Sequence, residues 1–129
     1  MNNKGFTLIE MLLTISMIAL IAIIVSFSIS STLSVSKENS YDILKNNTID
    51  MANMYIMECE ANAIDCSDDY VWEDNKTSFL ANKLILRGYS SQDELINPIN
   101  EKDISNCLII NVLANENNVY TLSIDDSKC

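Results

Sequence analysis

The sequence predicts an α+β fold in which one long N-terminal helix packs against a small antiparallel β-sheet. Three features support this prediction. No proline or glycine interrupts residues 6–57, two strand-like runs lie near the C-terminus, and the four cysteines all follow residue 58. The chain has 129 residues. After the N-terminal apolar run, enough of it remains for one small domain, residues 37–129.

The first element is an uncharged run of 26 residues, 11–36, which follows a short basic segment, residues 1–5. At ~1.5 Å rise per residue, a helix of this length covers the ~30 Å hydrocarbon core of a bilayer. We therefore expect residues 6–36 to form a hydrophobic transmembrane helix. Lys4 is the one positive charge before Lys37, and it favours a cytoplasmic N-terminus.

Glu10 lies at the head of this apolar run. Placing a carboxylate there in lipid costs on the order of 2–3 kcal/mol unless a partner compensates its charge. No Lys, Arg or His lies between Phe6 and Ser36. The countercharge therefore has to come from a new chain terminus, another subunit or the aqueous interface. A cut after Gly5 would create a cationic α-amino group on Phe6.

The ten residues KGFTLIEMLL, from Lys4 to Leu13, resemble the N-terminal signature of the type IV pilin superfamily. Members of this superfamily build type IV pili, type II secretion pseudopili and competence filaments. The resemblance implies the pilin fold. It also implies that residues 1–5 are a leader, removed after Gly5 by a prepilin peptidase/methyltransferase that N-methylates Phe6. Glu10 would then pair with the amino terminus of a neighbouring subunit, which lets two charges leave water together.

The resemblance further implies partners and a location. The partners are other pilin subunits, in a homo- or hetero-filament, and an inner-membrane assembly platform. The precursor would span the cell membrane once, with its globular domain outside the cytoplasm. Residues 6–36 would later form the core of an extracellular or envelope filament. A minor pilin or a pseudopilin is favoured, because Phe27 occupies the position at which many pilins carry a helix-breaking proline.

Two alternatives remain open at this point. An ordinary secretory signal is cut after its apolar region, whereas the candidate site here precedes it. Serines at positions 28, 30, 31 and 34 nevertheless leave a conventional cut possible. The alternative function is a membrane-anchored adhesin or ligand-binding module that does not polymerise.

Residues 37–57 are predicted to continue the N-terminal helix into the domain. Apolar and small polar residues recur there at steps of three and four, which places them on one helical face directed at a sheet. These residues are Tyr41, Leu44, Thr48, Met51 and Tyr55. The alternative is two helices separated by a flexible serine-rich joint at residues 28–36.

Residues 58–129 are predicted to contain loops, a short helix and a β-hairpin. The acidic segment 58–75 is expected to be a solvated surface loop, within which residues 70–72 form either a short strand or an aromatic plug over the long helix. An exposed Trp72 would instead indicate an adhesive site. Thr77 or Ser78 is expected to cap a helix over residues 79–87, with Gly88 ending it. Leu80, Leu84, Ile85 and Leu86 would then point inward.

The hairpin strands are predicted at residues 107–113 and 119–124, with the asparagine-rich residues 114–118 as the connecting loop. In the second strand, Tyr120, Leu122 and Ile124 alternate with polar or smaller residues. This period of two is typical of a strand with one covered face.

The cysteines Cys59, Cys66, Cys107 and Cys129 favour two disulfides, because an even number in a small exported domain is typical of cross-linking. Their spacing matches no common zinc-ligand pattern. Four cysteines allow three pairings. We prefer Cys59–Cys66 with Cys107–Cys129, because the resemblance implies a disulfide-stapled C-terminal loop.

The charge balance disfavours nucleic acid as a partner, since 18 Asp+Glu against 8 Lys+Arg repel phosphates. The sequence contains no histidine and 2 glycines, so we expect no enzyme and no cofactor. The acidic loop lacks the regular spacing of a calcium loop, and we expect no metal site. Asp125 and Asp126 are the nearest equivalents of the C-terminal calcium ligands of some pseudopilins.

Overall fold

The computed structural model describes residues 5–117 and 119–129. Residues 1–4 of the expected leader, including Lys4, and Asn118 of the expected hairpin loop lie outside the described residues. The α+β class is confirmed. The elements in chain order are α1 (Leu8–Glu60), β1 (Lys76–Leu80), α2 (Asn82–Leu86), a 3-10 helix (Gln92–Leu95), β2 (Ile109–Ala114) and β3 (Tyr120–Asp125).

Helix α1 is continuous over 53 residues, so the structure confirms one long helix and not two. The absence of proline and glycine explains this continuity, because every interior residue can keep its backbone hydrogen bond. The chain separates after Ser36 into two compact units, and α1 contributes to both. In the described part of the first unit, residues 5–36, every side chain is exposed.

In the second unit, Lys37–Cys129, α1 is amphipathic and its apolar face lies against the core. Thr48 and Tyr55 are fully buried, while Tyr41, Leu44 and Met51 are partly buried against the core. The predicted helical stripe is therefore confirmed. Full burial of one large apolar side chain contributes about 1.5–3 kcal/mol. The further core residues from α1 are Ala52, Ile56 and Cys59.

The sheet has three antiparallel strands in the order β1-β2-β3. Ile110 is the central residue, paired with Phe79 on β1 and with Ile124 on β3. The β2–β3 pair is the predicted hairpin. Tyr120, Leu122 and Ile124 pack against the core, whereas Thr121 and Ser123 are exposed, so the predicted alternation is also confirmed.

The prediction of a helix over residues 79–87 was wrong in its first half. Thr77, Ser78 and Phe79 belong to β1, where Thr77 and Phe79 are buried and Ser78 is exposed. A β-branched and an aromatic residue on one face suit a strand, and pairing with Val112 and Ile110 of β2 fixes it. Neither Thr77 nor Ser78 therefore caps a helix.

Helix α2 is shorter than predicted and begins after Ala81, which provides no side-chain cap. Leu84 is fully buried and Ile85 is partly buried, as expected. Leu80 and Leu86 are exposed, because β1 continues to Leu80 and the short helix turns Leu86 outward. Gly88 follows α2 with a φ of 81° and donates its N–H to the carbonyl of Ile85, as a helix-ending glycine does.

Residues 70–72 form an aromatic plug and no strand. The Tyr70 ring meets Tyr55 of α1 edge to face, with centroids 6.2 Å apart. The ring centroid of Trp72 lies 5.9 Å from that of Tyr70 and 6.0 Å from that of Tyr120. Trp72 is thus half-buried by packing and is not the exposed side chain that would indicate an adhesive site. Such ring pairs contribute about 0.5–1.5 kcal/mol each beyond their buried area.

Asp69 departs from the expectation of a solvated acidic loop. Its side chain is 7% exposed. It accepts hydrogen bonds from the Tyr55 hydroxyl at 2.6 Å, from Lys83 Nζ at 2.9 Å and from Arg87 Nε at 2.7 Å. The loop is therefore attached both to α1 and to the α2 region. Burial by itself would raise the pKa of Asp69, but these three hydrogen bonds outweigh it and hold the pKa below its ordinary value.

One disulfide closes the loop after α1, and a second encloses the β2–β3 hairpin. Cys59, near the end of α1, bonds to Cys66 across a sequence separation of 7. Cys107, just before β2, bonds to Cys129 across a separation of 22. These are the two pairs preferred from the resemblance. The second bond holds the C-terminal residues beside the hairpin.

Asp69→Asn should lower the free energy of unfolding of residues 37–129 by about 2–3 kcal/mol at pH 7, because it removes the charge that Lys83 and Arg87 share. Urea titration followed by Trp72 fluorescence measures this.

The contribution of Asp69 to the free energy of unfolding should depend on pH, because the pKa of Asp69 is lowered in the folded state. This contribution is complete above the ordinary aspartate pKa of about 4 and is lost as the pH falls below it. The wild type should therefore lose more stability than the variant in acid.

The matched control is Asp68→Asn, which makes the same change at the exposed neighbouring position. It should shift stability by less than about 0.5 kcal/mol. Equal effects of the two substitutions would show that Asp69 is not the residue that attaches the loop.

The unreduced protein should contain no thiol that alkylates under denaturing conditions. Peptide mapping should recover Cys59 with Cys66, and Cys107 with Cys129. Reduction should destabilise the domain by about 3 kcal/mol or more, the chain-entropy estimate for the longer loop alone. Alkylation of the cysteines without reductant, or recovery of a different pair, would contradict the assigned bonds.

Candidate functional site

The N-terminal site consists of Gly5, Phe6, Thr7 and Glu10, immediately before and within the first turn of α1. The Thr7 N–H and the Thr7 hydroxyl both donate to Glu10 Oε2 at 3.0 Å. The Glu10 N–H donates back to Thr7 Oγ1 at 3.4 Å. This reciprocal arrangement is a capping box, which satisfies amide groups that a helix start leaves without partners.

Thr7 is not among the site residues predicted from the sequence. Its signal was nevertheless visible, since Thr-x-x-Glu directly before an apolar run is a typical helix start. The Thr7 hydroxyl is neutral, so it orients the carboxylate without cancelling its charge. Within the described residues no ion pair reaches Glu10.

Gly5 and Phe6 precede α1 and are exposed. A Cβ added at Gly5 would meet no described atom within 4 Å. The described residues therefore leave room for a larger side chain at this position. Phe6 exposes 75% of its surface, so its large ring has no packing role in the described chain.

The first unit presents a continuous apolar surface on all sides of the helix. Its exposed side chains include Leu8, Ile9, Met11, Leu12, Leu13, Ile15, Met17, Ile18, Leu20, Ile21, Ile23, Ile24 and Val25. An apolar surface of this extent is not stable in water and has to be covered by lipid or by other helices. By length and composition, α1 is able to cross a membrane.

Several hydroxyl groups in this unit are satisfied within the helix itself. Ser16 and Ser26 each donate to the carbonyl four residues earlier, at 2.7 Å. Ser28 and Thr32 do the same at 3.2 Å and 2.8 Å. These bonds matter because an unpaired hydroxyl is costly in hydrocarbon. These four bonds therefore lower the cost of placing this part of the helix in an apolar environment.

Residues 1–34 match the family model described as the prokaryotic N-terminal methylation motif. The chain carries this methylation motif. The motif is characteristic of type IV pilin and pseudopilin precursors, and the match confirms the resemblance found in the sequence. It covers 34 of the 129 residues. Comparisons with curated proteins and with solved structures gave no significant match.

The methylation motif and the long apolar helix together support a type IV pilin-like precursor anchored in a membrane. The motif points to a structural subunit rather than to an enzyme. It also implies processing by a prepilin peptidase and assembly with other pilin subunits.

Asp125 and Asp126, the residues nearest to a calcium-ligand position, make separate contacts. Asp126 accepts a hydrogen bond from the Tyr41 hydroxyl at 2.9 Å and pairs with Lys45 at 3.6 Å. Asp125 accepts the N–H of Ser127 at 2.9 Å. Burial, followed by the Asp126 contact, raises the pKa of Tyr41 to about 12, so Tyr41 remains a donor at neutral pH. Asp126 thereby attaches the C-terminal segment to α1.

Proposed function

We propose that this chain is a structural subunit of a type IV pilus or a related filament. The observation that carries the proposal is the carboxylate of Glu10 at the head of an apolar helix, where it is the fifth residue after a candidate cleavage site. The match of residues 1–34 to the methylation motif supports it. The precursor crosses the membrane once, with residues 37–129 outside the cytoplasm, and is drawn into the filament by an inner-membrane assembly platform.

Processing removes residues 1–5 and leaves Phe6 as the N-methylated first residue. The space around Gly5 is consistent with this step, since no described atom lies within 4 Å of the position that a Cβ would take. An N-methylated amine remains cationic near neutral pH. Cleavage therefore creates a positive charge at the edge of the apolar helix, which otherwise lacks one.

Assembly joins this amine to Glu10 of a neighbouring subunit. The capping box supports the geometry, because both Thr7 donors bind Oε2 of Glu10 and so orient the carboxylate toward the start of its helix. A buried carboxylate that lacks a countercharge is expensive, whereas an ion pair with hydrogen bonds reduces the cost. The pair thus favours the assembled state over separate subunits.

Within the superfamily we place the chain among minor pilins or pseudopilins. Phe27 lies in an unbroken part of α1, where many pilins carry proline. The helix therefore lacks the feature that lets a subunit lose helical structure locally inside a filament.

The capping box also supports a second candidate, a membrane-anchored adhesin or ligand-binding module that does not polymerise. In such a protein Glu10 would serve only to begin α1, and its charge would have no partner. Substitutions at Glu10 and Thr7 separate these two roles of the carboxylate.

Glu10→Gln should abolish most filament incorporation while leaving membrane insertion unchanged. Glutamine still accepts the Thr7 hydrogen bonds, so the cap remains, but the charge is gone. Loss of the ion pair leaves an unpaired amine in an apolar setting and should reduce the amount in sheared filaments by at least about tenfold. Quantitative immunoblots of sheared filaments and of membranes measure both pools.

Thr7→Val is the matched control, because it removes the hydroxyl and leaves the charge. The Thr7 N–H still donates to Glu10, so the carboxylate keeps its orientation and incorporation should fall much less than with Glu10→Gln. Normal incorporation of Glu10→Gln would contradict the ion-pair account. Failure of Thr7→Val together with success of Glu10→Gln would assign Glu10 a capping role alone.

A further inference from the structure

A cavity of about 550 Å³ lies at the C-terminal end of α1. We call it the helix-end cavity. Its lining consists of Cys59, Glu60, Asn62, Ala63, Ile64, Asp65, Cys66, Ser67, Tyr70 and Trp72. The Cys59–Cys66 disulfide closes the loop that forms one wall, and the two aromatic side chains contribute to another.

The lining combines aromatic rings with a carboxylate. Glu60 Oε1 accepts hydrogen bonds from Trp72 Nε1 at 3.0 Å and from the Tyr70 hydroxyl at 3.2 Å. These bonds use the polar atoms of both rings, so a ligand meets their apolar carbon surface beside a negative charge. No lining residue is basic. A carboxylate next to aromatic rings is the typical environment for an organic cation.

The end of α1 adds to the negative potential. A helix C-terminus carries roughly half a negative charge, and Lys, Arg or His in the last turn normally complements it. The last turn of α1 has no basic residue and instead contains Glu58 and Glu60. Arg87, which donates to the Asp65 carbonyl at 2.9 Å, is already paired with Asp69. The net charge of −10 adds long-range attraction for cations.

The lining suits an organic cation better than a metal ion. Within residues 5–117 and 119–129, no group of three or more His, Cys, Asp or Glu could hold a metal. Glu60 and Asp65 are the carboxylates in the lining, and Asp65 already accepts hydrogen bonds from Ser67 at 2.8 Å and 3.1 Å. A hard divalent cation requires more oxygen ligands than this.

We propose that the helix-end cavity binds an alkylammonium or guanidinium group, with its charge against Glu60 and its carbon chain against Tyr70 and Trp72. A lysine or arginine side chain of a partner protein and a free amine share this chemistry. Burial, followed by the charge of Glu60, raises the pKa of Tyr70, so the ring keeps its hydroxyl proton and its bond to Glu60. The binding site does not depend on filament assembly.

The sequence contains a single tryptophan, Trp72, so tryptophan fluorescence reports on this cavity. The test uses the full chain in a nonionic detergent. Its probes are the peptide acetyl-Gly-Lys-Gly-amide, the same peptide with uncharged norleucine in place of lysine, and n-butylammonium.

The lysine peptide should give a saturable change in Trp72 fluorescence, and its binding should weaken with added salt. The norleucine peptide should give no such change. A lysine peptide that binds more tightly than n-butylammonium indicates a protein side chain as the ligand; equal binding indicates the ammonium group alone.

Glu60→Gln should weaken lysine-peptide binding by about three- to tenfold, as expected for one charged contact at an exposed cation site. Glutamine keeps an oxygen that accepts from Tyr70 and Trp72, so the walls stay in place. The matched control is Glu101→Gln, which removes the same charge from a residue outside the lining. It should leave binding nearly unchanged.

Equal weakening by Glu60→Gln and Glu101→Gln would overturn the proposal, because binding would then follow net charge alone. A response to the norleucine peptide as large as the response to the lysine peptide would also overturn it. This second comparison uses only the wild-type chain, so it holds even if Glu60→Gln proves unstable.

Discussion

The Glu10 carboxylate governs the electrostatics of the N-terminal unit. It begins a helix whose first unit is apolar on every side, and the described chain offers it two hydrogen bonds from Thr7 but no positive charge. A hydroxyl and an amide can orient a carboxylate, yet only a cation cancels its charge in an apolar setting. The sequence can create that cation by cleavage before Phe6. Under the proposed function, processing and assembly are thereby linked through a single electrostatic requirement.

The second unit, residues 37–129, is a small domain, and its hydrophobic core alone provides limited stability. The amphipathic part of α1 supplies one face, and Tyr55 on it contacts Tyr70, Phe79 and Tyr89. Polar contacts to α1 hold two further parts of the domain. Asp69 attaches the acidic loop, and Asp126 attaches the C-terminal segment. Two disulfides restrict the unfolded chain further. The domain therefore depends on cross-links and specific polar contacts as well as on its apolar core.

The sequence predicted the features that depend on local pattern. The continuous helix follows from the lack of helix breakers, and the second hairpin strand follows from the alternation at Tyr120, Leu122 and Ile124. Strand β1 was missed because apolar residues at 79, 80, 84 and 85 also fit a helical spacing, and only pairing with the distant β2 decides between them. Asp69 was not distinguished from its acidic neighbours, because its partners lie 14 or more positions away. Thr7, by contrast, had a local signal.

The most direct test of the central claim is the intact mass of the chain recovered from purified filaments. We expect a polypeptide that begins at Phe6 and carries one added methyl group, with both disulfides intact. A filament-associated chain that still begins at Met1 would contradict it, because the amine required by the Glu10 carboxylate would then never form at the edge of the apolar helix.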